Sequence, residues 1–167
     1  MHRDTVVATN TSPVIRTDEL TIALGKEADA EWCAQVMSTT EPWVRLGRTF
    51  EECLARLRRP ELILLTARLA GRRCGFVLLH PTGLAGSPYI ASIAVPEEVR
   101  GRGLGAELLR AAENRFPAAR HIFLCVSSFN TRARQLYERS GYTAVGELPG
   151  YIIEDASEIL MCKRLAT

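Results

Sequence analysis

The chain has 167 residues, enough for one domain of ordinary size and too few for two. With 47% hydrophobic and 24% charged residues it can bury a core, which excludes disorder and fibrous repeats. Its 21 Lys plus Arg against 19 Asp plus Glu leave a net charge of +2, too small for a whole-surface basic field aimed at nucleic acid or a membrane, so any anion site must be local.

Residues 1–18 lack periodicity, are rich in Thr, Asp, Asn and Ser, and read as a loose N-terminal extension; one folded domain is expected over 19–167. Leu20 to Leu24 alternates as a short strand that Gly25 ends. Ala30, Cys33, Ala34 and Met37 recur at helical spacing, a loop with Glu41-Pro42-Trp43 follows, and Phe50, Cys53, Leu54 and Leu57 mark a second helix that Arg59-Pro60 stops. Leu62 to Leu69 and Cys74 to Leu79 read as a hairpin, Pro81 to Pro88 as a loop, and Tyr89 to Val95 as a buried strand. Leu104, Leu108, Leu109, Ala112 and Phe116 share one face of a third helix before Pro117. Ile122 to Val126 is a strand. Asn130 is an N-cap for a helix carrying Ala133, Leu136 and Tyr137, and Gly141-Tyr142 matches a helix C-terminal motif. Strands near Thr143 to Glu147 and Glu158 to Lys163 close the chain. This order predicts an α+β domain: a mixed central sheet of six to seven strands flanked by about four helices.

Five cysteines at long gaps, with no C-x-x-C and three histidines, form neither a disulfide framework nor a metal site. Most lie among apolar residues, as free thiols do in a reducing compartment, so the cytoplasm is expected. No apolar run is long enough to suggest export or a membrane span.

The most informative stretch is Val99-Arg100-Gly101-Arg102-Gly103-Leu104-Gly105-Ala106, between a strand and an amphipathic helix. Glycines let backbone N–H groups approach an anion, the helix N-terminus adds its positive dipole end, and two arginines suit a pyrophosphate. A P-loop is excluded because Ala106-Glu107, not Lys-Ser/Thr, follows Gly105. A dinucleotide fingerprint would need an acidic residue at the end of the next strand, where Cys125-Val126-Ser127 stands. A tight structural turn with solvated arginines remains the alternative.

Arg100-x-x-Gly103-x-Gly105, preceded by Ile93-Ala94-Val95-Pro96, resembles the acetyl-CoA-binding motif of the GNAT superfamily of N-acetyltransferases. About 25 residues on, Asn130-x-x-Ala133-x-x-Leu136-Tyr137-x-x-x-Gly141-Tyr142 resembles that family's second motif. The resemblance implies a GNAT-like acyl-CoA N-acyltransferase fold that moves an acetyl group from acetyl-CoA to a primary amine by direct attack in a ternary complex. It implies that the backbone of Ile93, Ala94 and Val95 pairs with the pantetheine arm where two parallel strands splay, and that Arg100, Gly101, Arg102, Gly103, Leu104, Gly105 and Ala106 hold the pyrophosphate. Asn130 and Ala133 would border the cofactor arm, with Arg132 and Arg134 as weaker candidates for a further phosphate. Tyr137 would be the general acid, since the departing thiolate must be stabilised or protonated.

In the ribosomal-protein N-terminal acetyltransferase branch, the resemblance points to a glutamate base on the strand before the second motif; here that position is Cys125, expected to be a packed strand residue. Other acceptor-side candidates are Glu41, Tyr89, Ser92, Glu154 and Asp155. The early loop and the last hairpin, with Glu147 and Tyr151, would suit a cationic amine. The acceptor, a homodimer through the last hairpin, and an acyl-CoA sensor that no longer transfers are left open by the sequence.

Overall fold

The computed structural model describes residues 19–166; the expected extension over 1–18 lies outside them. Seven strands form one sheet in the order β1-β2-β3-β4-β5-β7-β6, with β1 Leu20–Leu24, β2 Ile63–Leu69, β3 Arg72–Leu84, β4 Ser87–Ala94, β5 His121–Ser127, β6 Thr143–Pro149 and β7 Ser157–Arg164. All pairings are antiparallel except β4 with β5. The helices are α1 Glu27–Thr39, α2 Phe50–Leu57, α3 Leu104–Asn114 and α4 Thr131–Arg139. The expected mixed α+β sheet is the observed one.

Period-two alternation along β3 sorts the core onto two sides. Phe76 and Leu78 join Ala30, Cys33, Ala34 and Met37 of α1 and Cys53 and Leu57 of α2. Val77 and Leu79 join Leu104, Leu108, Leu109 and Ala112 of α3, with Tyr137 of α4, on the opposite face. The sheet is thus sandwiched between two helix pairs, and strand parity decides which pair a side chain meets.

One expectation needs correcting. Pro81 to Pro88 is no loop: β3 runs on to Leu84, and Leu84 pairs with Ser87 across a two-residue turn. Ala85 and Gly86 both take positive φ there, 49° and 78°, as the tight hairpin turn requires. Pro81 is tolerated because the ladder is interrupted between His80 and Leu84, where no N–H is called for. The β2–β3 turn, Ala70-Gly71, uses the same backbone solution.

Asp29 fastens α1 to the sheet. It is 1% exposed, yet its carboxylate accepts from Arg68 Nη2 at 2.6 Å, Arg73 Nε at 2.6 Å and the Lys26 N–H at 2.9 Å. Burial pushes this carboxyl up, but the Lys26 amide and the two guanidiniums outweigh it and hold the pKa below the ordinary 3.8. The stabilisation is therefore complete above that pH and is lost as pH falls through the lower, folded value. Asp29→Ala is expected to cost about 3 kcal/mol, the low end for breaking a buried pair because both arginines keep some contact with water. The urea midpoint at unchanged slope measures it.

Candidate active site

The cleft begins where the one parallel pair fails. β4 and β5 are in register only at Tyr89 with Phe123 and Ile90 with Leu124. Beyond that point Ile93 and Ala94 remain paired with β3 through Val77 and Phe76, and their other edge faces open space. A bulge helps part the strands: Leu78 pairs with Ser92 and Leu79 with Ile90, leaving Ala91 as an extra residue. Its carbonyl accepts instead from Ser92 Oγ at 2.7 Å and Arg56 Nη2 at 3.2 Å. The resulting groove has a volume of about 780 Å³.

At one end lies the glycine-rich turn. Gly101 and Gly103 take φ of 76° and 78°, with no protein atom near where a Cβ would sit, so the turn needs glycine for its backbone conformation. Gly103 caps α3, and the first N–H groups of that helix, on Leu104, Gly105 and Ala106, have no intrahelical acceptor and border the groove. Gly105 serves a different need: a Cβ there would meet Leu136 Cδ2 at 2.6 Å, so it lets α3 and α4 approach. Arg100 donates Nε to the Val95 carbonyl at 2.8 Å, which ties the turn to the end of β4 and occupies the acceptor of one of the three expected backbone positions. Arg102 is exposed and does not line the groove.

The α4 wall agrees in detail with the sequence pattern. Asn130 Oδ1 accepts from the Ala133 N–H at 3.3 Å, and the helix closes on Gly141 with the Tyr142 N–H bonding the Tyr137 carbonyl at 3.0 Å. Ala133, Leu136 and Tyr137 line the groove. Tyr137 is 6% exposed; burial alone pushes its phenol pKa up, so the hydroxyl carries its proton at neutral pH. Arg132 also borders the groove, whereas Arg134 is paired with Glu138 at 3.0 Å on the helix surface.

Strand parity brings a second set of groups together on the opposite face of the sheet. Ile122, Leu124 and Val126 of β5 and Ile159 and Met161 of β7 point to α3 and α4, so Cys125, Ser127 and Glu158 point to the α1–α2 side. Ser127 pairs with Glu158 across the β5–β7 ladder, and Ser127 Oγ donates to Glu158 Oε1 at 2.6 Å. Glu158 is 6% exposed and still borders the groove. Cys125, expected to be a packed strand residue, stands half-buried in β5 on this wall beside Tyr89. Burial pushes the Cys125 thiol up, and Glu158 adds to that while the Tyr89 hydroxyl opposes it; burial and the same thiol raise Tyr89. Both are protonated at neutral pH, and a protonated thiol is a poor nucleophile.

The rim is closed by the segment after α1 and the β6–β7 connection. Glu41, Trp43, Leu46, Tyr151 and Ile152 border the groove, and Glu41 accepts from the Arg45 N–H at 3.1 Å. Arg45 lies over the Phe129 ring at 4.0 Å and reaches Asp155 at 3.6 Å, spanning both rims. Of the acidic residues expected here, Glu147, Glu154 and Asp155 do not line the groove. Glu158 does, and the sequence reading passed over it because its place depends on the β5–β7 register; the one available signal was a lone carboxylate opening an apolar strand.

A mixed sheet split at its parallel pair, with an open helix N-terminus over one end of the split, defines the acyl-CoA N-acyltransferase fold. The acetyltransferase (GNAT) family model matches residues 27–142, and the chain belongs to that family. An uncharacterized N-acetyltransferase of Methanocaldococcus jannaschii is 36% identical over 101 residues, 59% of this chain and 64% of that one, so the match spans less than two thirds of the relative. The ribosomal-protein-S18-alanine N-acetyltransferase from Escherichia coli superposes with a TM-score of 0.74 over 89% of this chain and 95% of its own at 17% identity. An aminoglycoside 6'-N-acetyltransferase complexed with coenzyme A gives 0.72 over 88% and 98% at 19% identity. At these identities the likeness speaks for the fold.

Proposed function

We propose that residues 19–167 form a single catalytic domain that transfers the acetyl group of acetyl-CoA to a primary amine by direct attack in a ternary complex. The observation that carries this reading is the groove itself, which joins the open N-terminus of α3 to the protonated hydroxyl of Tyr137 and continues through the sheet to Glu158. Along it, the α3 amides with Arg100 would receive the pyrophosphate, the free edge of Ile93 and Ala94 would pair with the pantetheine amides, and Asn130 and Ala133 would flank them. Arg102, exposed at the turn, would contribute long-range charge only.

The acceptor arrives as an ammonium. Glu158 takes one proton, directly or through a water, and the amine nitrogen attacks the thioester carbon. As the C–S bond breaks, Tyr137 protonates the leaving thiolate, and the nitrogen sheds its second proton to leave the amide. Glu158 then releases its proton and the nitrogen's second proton also passes to solvent, while Tyr137 is reprotonated from solvent, a net release of one proton. The protonated Cys125 thiol argues for direct transfer over an acetyl-cysteine intermediate.

Acetyl-CoA and CoA are expected to raise the melting temperature while NAD and ATP do not; at about 100 times the dissociation constant the gain is about 2.7 kcal/mol. Thiol release with a panel of amines tests the chemistry. CoA binding without thiol release from any amine would leave an acyl-CoA sensor on the same fold. A reducing compartment suits the five free cysteines, and the outer edge of β6, with exposed Val145 and Leu148, supports pairing between two copies.

A further inference from the structure

Two arginines border the groove on the α1–α2 side of the sheet, away from the glycine-rich turn. They are Arg48, just before α2, and Arg56, on α2, and both also border an adjoining cavity of about 390 Å³. Neither makes an ion pair among the described residues, as is also true of Arg100, Arg132 and Arg139 elsewhere along the groove. The two lie within each other's electrostatic reach, and Arg56 also reaches Tyr89. Left alone, two such guanidiniums would repel and swing into solvent. Both residues are exposed, but Arg56 Nη2 donates at 3.2 Å to the carbonyl that the bulge frees at Ala91, which sets its guanidinium against the groove wall.

The cofactor's pyrophosphate cannot be the missing anion. The cradle expected for it, the N-terminus of α3, follows the Ala94 end of β4, and Arg56 is bonded to the Ala91 carbonyl, about 10 Å back along the strand at 3.3 Å per residue. The two regions also lie on opposite faces of the sheet, because α2 packs on one side and α3 on the other. Beside the arginines stand two carboxylates, Glu158 and Glu41, suited to an ammonium. A polycationic acceptor would confront two unpaired guanidiniums, whereas a zwitterion meets a complementary charge at each end.

Building on the transferase reading above, we infer that the acceptor is a small primary amine that also bears a carboxylate or phosphate, its anionic group seated on Arg48 and Arg56 and its nitrogen facing Glu158. Arginine suits either anion through bidentate hydrogen bonds.

The test uses the full chain with acetyl-CoA, the twenty amino acids beside their carboxamides, phosphoethanolamine beside ethanolamine, and spermidine. Thiol release is expected from at least one anionic amine at ten or more times the kcat/KM of its neutral partner; which pair responds separates carboxylate from phosphate. In Arg56→Gln and Arg48→Gln, with retained CoA-induced thermal shifts as proof of folding, that ratio should collapse toward one, and Arg56→Lys should restore part of it. Neutral amines or spermidine turned over as well as the anionic members, or a ratio that survives both substitutions, would overturn the inference. Calorimetry on the CoA complex decides the case in which no amine is acetylated. Binding of an anionic amine but not its neutral partner keeps the anion site and removes the transferase; no preference removes the anion site as well.

Discussion

Tyr137→Phe is expected to lower kcat by about 10²- to 10⁴-fold, the usual worth of a positioned general acid, while acetyl-CoA affinity changes little. The substitution keeps the ring, which is 6% exposed and packs 6.2 Å from the ring of Tyr142, so the α4 wall survives. It removes only the proton that burial secures on the phenol at neutral pH. Single-turnover thiol release at saturating amine measures it. A chemical step at the wild-type rate would mean that solvent protonates the thiolate and that Tyr137 is a packing residue.

Glu158→Gln should cost a similar 10²- to 10⁴-fold in kcat/KM near neutral pH, with a signature that a structural defect does not share. Glutamine is nearly isosteric and can still accept from Ser127 Oγ, now 2.6 Å from the carboxylate, so the β5–β7 contact is retained. What it lacks is the ability to take the ammonium proton. Below the pKa of the acceptor ammonium, the free-amine fraction grows about tenfold per pH unit. The variant's deficit should therefore shrink as pH rises, whereas an enzyme with a distorted groove would stay impaired at every pH. A deficit independent of pH would assign Glu158 to structure.

The sequence made the α3 and α4 ends of the site legible because their requirements are local. Gly103 needs a left-handed backbone and Asn130 caps its own helix three residues on, so each signal lies within a few positions of its cause. The wall proposed for the acceptor is assembled by contacts distant in sequence. Glu158 gains its partner 31 residues away through strand register, and Arg56 gains its anchor 35 residues away at a bulge that no local pattern announces. Asp155, by composition as good a candidate as Glu158, is instead turned to Arg45. The extra length of β3 was missed because Pro81 reads as a breaker, although the interrupted ladder leaves it nothing to break.

The boundary of the family match acquires meaning from this geometry. It ends at Tyr142, after the glycine-rich turn, the parted strands and Tyr137, while Tyr151, Ile152 and Glu158 come later in the chain. On the proposed reading, the donor half of the groove is written in the shared segment together with Glu41, Arg48 and Arg56, and Tyr151, Ile152 and Glu158 complete the acceptor side from beyond it. On that reading, insertions or substitutions between β6 and β7 would remodel the acceptor mouth without disturbing the α3 turn on the far face of the sheet. A chimaera that exchanges residues 150–156 for the corresponding stretch of another acetyltransferase would change partners while keeping its hold on CoA.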